Sequence, residues 1–143
     1  MVNLPVELLN KLQKLQNQAA RIILKKPYRE HITPSLMKLH WLPVKARLTY
    51  KTAVLCYKCL NGIAPPYLAN LIQEYNPTRN LRSTHRKQLV PKQCKYKRIG
   101  NRAFSCYAPT TWNSLPLEVR KATTLTKFQT LLKTHLFKTS YNT

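Results

Sequence analysis

The sequence predicts a small, mainly α-helical domain broken by one irregular, strongly basic segment. Three observations carry this prediction. Apolar residues recur at intervals of three and four through most of the chain, the spacing that lines one face of a helix. Ten prolines and only two glycines divide these stretches, and proline both stops a helix and suits the first turn of the next. Between 76 and 102 the periodicity lapses, and nine lysines and arginines accumulate without an acid. At 143 residues the chain is long enough for one domain with its own core. Three parts follow: a helical part over 1–75, a basic loop or hairpin over 76–102, and a helical part over 103–143, together one compact unit.

The first helix is expected from Pro5 to Lys26, with Asn3 as cap and Pro27 as stop. Leu8, Leu12, Leu15, Ala19, Ile22 and Ile23 share one face, and such a stripe ordinarily faces the core. A dimerising coiled coil is the alternative, though three heptads are the lower limit for one. A short helix follows Thr33-Pro34, capped by Thr33, with Leu36, Met37 and Leu39 inward. Trp41 reads as a core plug. The next helix runs from Pro43 to the C-cap pair Asn61-Gly62. Its inner face is Val44, Leu48, Leu55 and Cys59, broadened by Ala53, Val54, Cys56 and Leu60, with the C-terminal half nearly all buried. Pro65-Pro66 open another short helix, from Tyr67 to about Glu74.

The alternation Lys95-Tyr96-Lys97 allows a short strand or hairpin near 88–98. Gly100 ends it, and Asn101 caps a helix from Phe104 to Trp112, kinked by Pro109. Leu115-Pro116 begin a short helical turn to Ala122. The last helix opens with the capping box Thr126 and Gln129 and faces inward with Phe128, Leu131, Leu132, His135 and Leu136.

Charge bounds the function. There are 25 Lys+Arg against 4 Asp+Glu, a net charge of +21, and no aspartate at all. Most polymerase, nuclease and kinase sites hold magnesium on aspartates, so the chain alone is not expected to perform metal-dependent phosphoryl transfer. Ser/His/Asp catalysis is excluded for the same reason. Such a charge on a compact domain repels itself, and a phosphate backbone relieves it by exchanging condensed cations for Lys and Arg. An anionic membrane surface is the weaker alternative. No apolar run approaches the roughly 18 residues of a membrane span, and Met1 to Gln13 lack the apolar core of a secretory signal. Four cysteines without a signal suggest a reducing compartment, cytoplasmic or nuclear, and free thiols.

Cys56-Tyr57-Lys58-Cys59 puts two thiols on one helix face. A zinc site needs two further ligands, and Cys94, Cys106 and His85 stand at no recognised spacing. Buried helical thiols are the favoured reading. No catalytic residue, metal or cofactor is assigned. The best chemical feature is the basic segment: Arg79, Arg82, Arg86, Lys87, Lys92, Lys95, Lys97, Arg98 and Arg102 for phosphates, with Tyr96 and His85 placed to stack on bases.

Several blocks resemble a known family. They are Leu15-Gln16-Asn17-Gln18-Ala19-Ala20-Arg21, Leu39-His40-Trp41-Leu42-Pro43-Val44, and Tyr57-Lys58-Cys59-Leu60-Asn61-Gly62-Ile63-Ala64-Pro65-Pro66-Tyr67-Leu68. Further blocks are Leu81-Arg82-Ser83, Gly100-Asn101-Arg102-Ala103-Phe104-Ser105, Trp112-Asn113-Ser114-Leu115-Pro116 with Pro109 before it, and Phe128 with Leu131-Leu132-Lys133-Thr134-His135-Leu136-Phe137. Together they are similar to the region C-terminal to the polymerase core in LINE-type (non-LTR) retrotransposon reverse transcriptases of the jockey-like group. The resemblance covers nearly the whole chain. It implies a parent with endonuclease and polymerase domains, neither present here, so no RNA-directed DNA polymerase activity carries over. It implies instead a segment beside the thumb that holds RNA or DNA; physically, Trp112, Phe104 and Phe128 read as core anchors. The match starts close behind Met1, as in a truncated copy with an internal start or a host-encoded remnant. Two alternatives stay open: a helical module that docks on the reverse transcriptase core or self-associates, and a translated relic without function. RNA or DNA, and the oligomeric state, are likewise open at this level.

Overall fold

The computed structural model describes residues 4–77, 87–93, 100 and 102–142. The fold is mainly α, as the periodicity predicts, with no sheet among the described residues. Its helices are α1 (Val6–Leu24), α2 (Thr33–Lys38), α3 (Val44–Leu60), α4 (Pro66–Ala69), α5 (Phe104–Asn113), α6 (Leu117–Arg120) and α7 (Leu125–Tyr141). Helix α3 is the hub and packs against α7, α5, α1 and α4. Both helical parts of the chain therefore share one core.

That core is aromatic at its centre. Tyr57 of α3 stacks on Phe128 of α7 at 4.5 Å between ring centroids, and Trp112 of α5 lies 5.7 Å from the same Phe128. Each such pair contributes about 0.5–1.5 kcal/mol beyond its buried area. Around it lie Ala53, Cys56, Ala108, Leu132 and Leu136, all buried. The Tyr57 hydroxyl donates to the Ala122 carbonyl (3.2 Å), so the phenol oxygen of the stack is satisfied. Phe104 packs beside this cluster, only partly buried.

Proline and αL residues set the helix ends. Pro5, Pro43, Pro65 and Pro116 each stand immediately before a helix. Gly62 follows α3 with φ +69°, and the Ile63 N–H returns to the Lys58 carbonyl (2.9 Å), the closure that a left-handed residue makes possible. Lys25 and His40 close α1 and α2 in the same way, with φ of 49° and 53°. At these two places a side chain occupies a conformation that glycine adopts more readily. Pro109 lies buried within α5, and the helix continues through it to Asn113.

Four expectations need correction. The leucine–isoleucine stripe of α1 does not face the core: Leu15 is 62% exposed, Ile22 78% and Ile23 54%. The face turned inward carries Gln13, Gln16 and Ala20 instead. Its glutamines satisfy backbone groups that the chain turn at Pro43 leaves open. Gln16 Nε2 donates to the Leu42 carbonyl (2.9 Å), and the Val44 N–H, an orphan donor of the first turn of α3, donates to Gln13 Oε1 (2.9 Å). The second correction concerns α7. Thr124, not Thr126, is its N-cap and accepts from the Lys127 N–H (3.3 Å). Helix α7 thus starts one residue before Thr126, and the Thr126–Gln129 box does not form.

Trp41 is only half-buried, and the plug at that corner is Leu42, 6% exposed. The fourth correction lies in the turn regions. Thr33 is inside α2 rather than its cap, and α4 stops at Ala69. Glu74, expected in a helix, instead forms an antiparallel bridge with Leu89. The expected hairpin over 88–98 falls partly outside the described residues, and the N-caps of α1 and α5 are Pro5 and Ala103 rather than Asn3 and Asn101.

Candidate nucleic-acid interface

The basic segment is pinned to the domain at its middle. Leu89 is 1% exposed and belongs to the core. Its backbone is held from both sides. The Tyr75 N–H donates to the Gln88 carbonyl (2.8 Å) and the Val90 N–H to the Gln73 carbonyl (2.9 Å). From α5, the Asn113 amide accepts from the Leu89 N–H (2.9 Å) and donates to the Leu89 carbonyl (2.8 Å). One residue earlier on α5, the Trp112 indole N–H donates to the Lys87 carbonyl (2.7 Å). The pair Trp112-Asn113 therefore has a physical reason to stand together: one fills the core, and both grip the backbone of 87–89.

Of the ten residues assigned to nucleic acid, three are described: Lys87, Lys92 and Arg102, all exposed. Lys87 and Lys92 sit on either side of the buried Leu89, so the anchor presents both to solvent. Arg79, Arg82, Arg86, Lys95, Tyr96, Lys97 and Arg98 lie outside the described residues, as does His85.

A second cationic site was not anticipated. A cavity of about 430 Å³ opens between the 40–42 connection, α3 and α7, and is lined by His40, Trp41, Arg47, Tyr50, Lys51 and Lys133. Arg47, Tyr50 and Lys51 are three and four residues apart on α3, which places them on one face. No acid lines the cavity. The signal was present in the sequence as Arg47, Tyr50 and Lys51 beside the His40-Trp41 dipeptide. What hid it is that Lys133 reaches it from the far end of the chain. Burial pushes the Tyr50 phenol above its ordinary pKa, so it stays neutral.

The Cys56–Cys59 pair is buried and free, in keeping with the structural reading of C-x-x-C. Burial, joined by the charge of Cys59, pushes the Cys56 thiol up to about 12, and burial raises Cys59 too. Thiols held neutral in this way are poor nucleophiles and poor metal ligands. Among the described residues no group of histidines, cysteines or acids is arranged to hold a metal ion. The free-thiol expectation fails at Cys106, which is disulfide-bonded; spacing along the sequence gives no sign of which thiols the fold brings together. No helix among the described residues is long and apolar enough to cross a membrane.

Comparison of the chain with protein-family models, with curated proteins and with solved structures returned no match.

Proposed function

We propose that this chain is a sequence-tolerant nucleic-acid-binding module, with no catalysis of its own, acting in the cytoplasm or nucleus where RNA and DNA lie. The observation that carries the reading is charge. The net charge is +21, and Lys87, Lys92, Arg102, Arg47, Lys51 and Lys133 all stand exposed. A polyanion supplies the counter-charge that four glutamates do not. The residue blocks support a further part of this reading: the chain derives from the C-terminal region of a LINE-type reverse transcriptase.

Binding to RNA and DNA across a salt series tests the proposal. With about six phosphate contacts, affinity should fall roughly 10³-fold between about 50 and 200 mM salt. A flat salt dependence overturns it.

One observation favours a second reading, a helical interaction module. Helix α1 exposes Leu8, Leu12, Leu15, Ile22 and Ile23 along one face, and contiguous apolar surface of this kind commonly marks an interface. Light scattering separates the readings. An oligomer that forms without RNA, ignores its addition and is dissolved by Leu15→Glu favours the second; a monomer that binds RNA favours the first.

A further inference from the structure

We propose that the cavity between the 40–42 connection, α3 and α7 is a binding site for a single nucleotide unit, its base against Trp41 and Tyr50 and its phosphate on Arg47, Lys51 and Lys133. This rests on the reading of the chain as a nucleic-acid binder, and it names which part of a nucleic acid a particular site takes.

Charge supports the anionic half of the ligand. Three cations converge on one opening with no acid in its lining. None of the three side chains has a hydrogen-bond or ion-pair partner among the described residues, whereas Lys26, for example, pairs with Glu30 at 2.7 Å. Like charges brought together without a counter-ion repel one another, and an anion that enters removes that cost. Arginine offers a planar fork and lysine a point charge, the usual pairing for phosphate oxygens.

Shape and chemistry support the aromatic half. Trp41, Tyr50 and His40 make up the rest of the polar and aromatic lining. A volume of about 430 Å³ falls within the range of small-ligand sites, roughly 300–1,000 Å³. It is far larger than a bare phosphate needs. Aromatic faces interleaved with cations are the arrangement that holds a base and its phosphate together.

The walls are fixed in advance. The Trp41 N–H donates to the Leu36 carbonyl (2.9 Å) across the left-handed His40, which closes α2 and sets the direction of the connection. From α7, the Tyr141 hydroxyl donates to the Trp41 carbonyl (2.5 Å). His40 stacks on Phe137 (5.9 Å), and Phe137 packs edge-on to Tyr141 (4.8 Å). Binding therefore orders little of the aromatic wall, and its entropic cost falls on Arg47, Lys51 and Lys133.

Tryptophan fluorescence tests the proposal, because Trp112 is 1% exposed and only Trp41 lines the cavity. The intact chain is titrated with adenosine 5′-monophosphate, with inorganic phosphate and with a short oligothymidylate. The titrations are repeated on the combined variant Arg47→Ala, Lys51→Ala, Lys133→Ala, whose three sites are exposed, with circular dichroism confirming the fold. Trp41→Phe assigns the signal. The oligonucleotide is expected to quench Trp41, and the triple variant to bind it about tenfold or more weakly, the scale of one lost charge-assisted hydrogen bond.

Competition by the mononucleotide assigns the site to a free nucleotide. Its failure to compete, with the oligonucleotide still dependent on the cavity, assigns it to one unit of a strand. Either result supports the proposal. Oligonucleotide binding that leaves Trp41 unperturbed, or that is equal in the triple variant, overturns it while leaving the chain a nucleic-acid binder. Phosphate competing as well as the mononucleotide overturns the base-binding half. If the chain binds neither RNA nor DNA at low salt, the broader reading falls, and the mononucleotide titration then decides the cavity alone: quenching of Trp41 supports it and silence overturns it.

Discussion

Helices α1 and α7 are nearly the same length, 19 and 17 residues, and both carry leucines at helical spacing. They use them in opposite ways. In α7, Phe128 and Leu132 are fully buried and Leu136 nearly so. In α1 Leu8, Leu12, Leu15, Ile22 and Ile23 point outward, and the inward face is held by glutamine hydrogen bonds and Ala20. The difference teaches that periodicity reveals a stripe without saying which neighbour it meets. What decided α1 was the backbone at Leu42 and Val44, which needed a donor and an acceptor respectively more than it needed another leucine.

The comparison can be broken from its strongest side first. Phe128→Ala should cost about 3–5 kcal/mol, because it removes both aromatic stacks and leaves a cavity in a core with little room to collapse. Chemical denaturation measures this, and a cost under about 1 kcal/mol would show that α7 is held by something other than its apolar face. Gln16→Ala should cost about 1–2 kcal/mol, the loss of a buried hydrogen bond that leaves the Leu42 carbonyl unsatisfied. An unchanged midpoint there would mean that α1 is not held by its glutamines. Smallest is Ile22→Ser, which should change the stability of the monomer by no more than about 0.5 kcal/mol. A larger loss would place Ile22 in a contact that the single chain does not make.

Much of the fold was legible because it depends on local chemistry. Pro43 and Asn61-Gly62 bracket α3 as expected, and the inward residues of α7 follow from their spacing. Position in space was less legible. Tyr57, central to the core, reads as the polar middle of C-x-x-C, and its burial depends on Phe128 and Ala122, far along the chain. In sequence Thr126 carries the stronger cap signal, through Gln129, and only the start of α7 shows that Thr124 takes the role. For the interface, composition located the charge but not its support. Leu89 looks like one leucine in a basic run, and nothing local marks it as a core residue gripped by Asn113. The cavity was missed because Arg47 and Lys133 meet only after α3 and α7 pack.

The grip of Asn113 and Trp112 falls on backbone atoms of residues 87 to 89. A hold of that kind takes no notice of which charged side chains the segment carries. Holding and contacting are thereby assigned to different atoms. Exchanging the lysine at 92, or reversing its sign, should leave that hold in place, whereas at 87 the left-handed backbone (φ 46°) favours residues that accept it. Basic residues such as Lys92 are thus free to drift in identity while their attachment stays constant, and a segment built this way can change what it touches without having to refold.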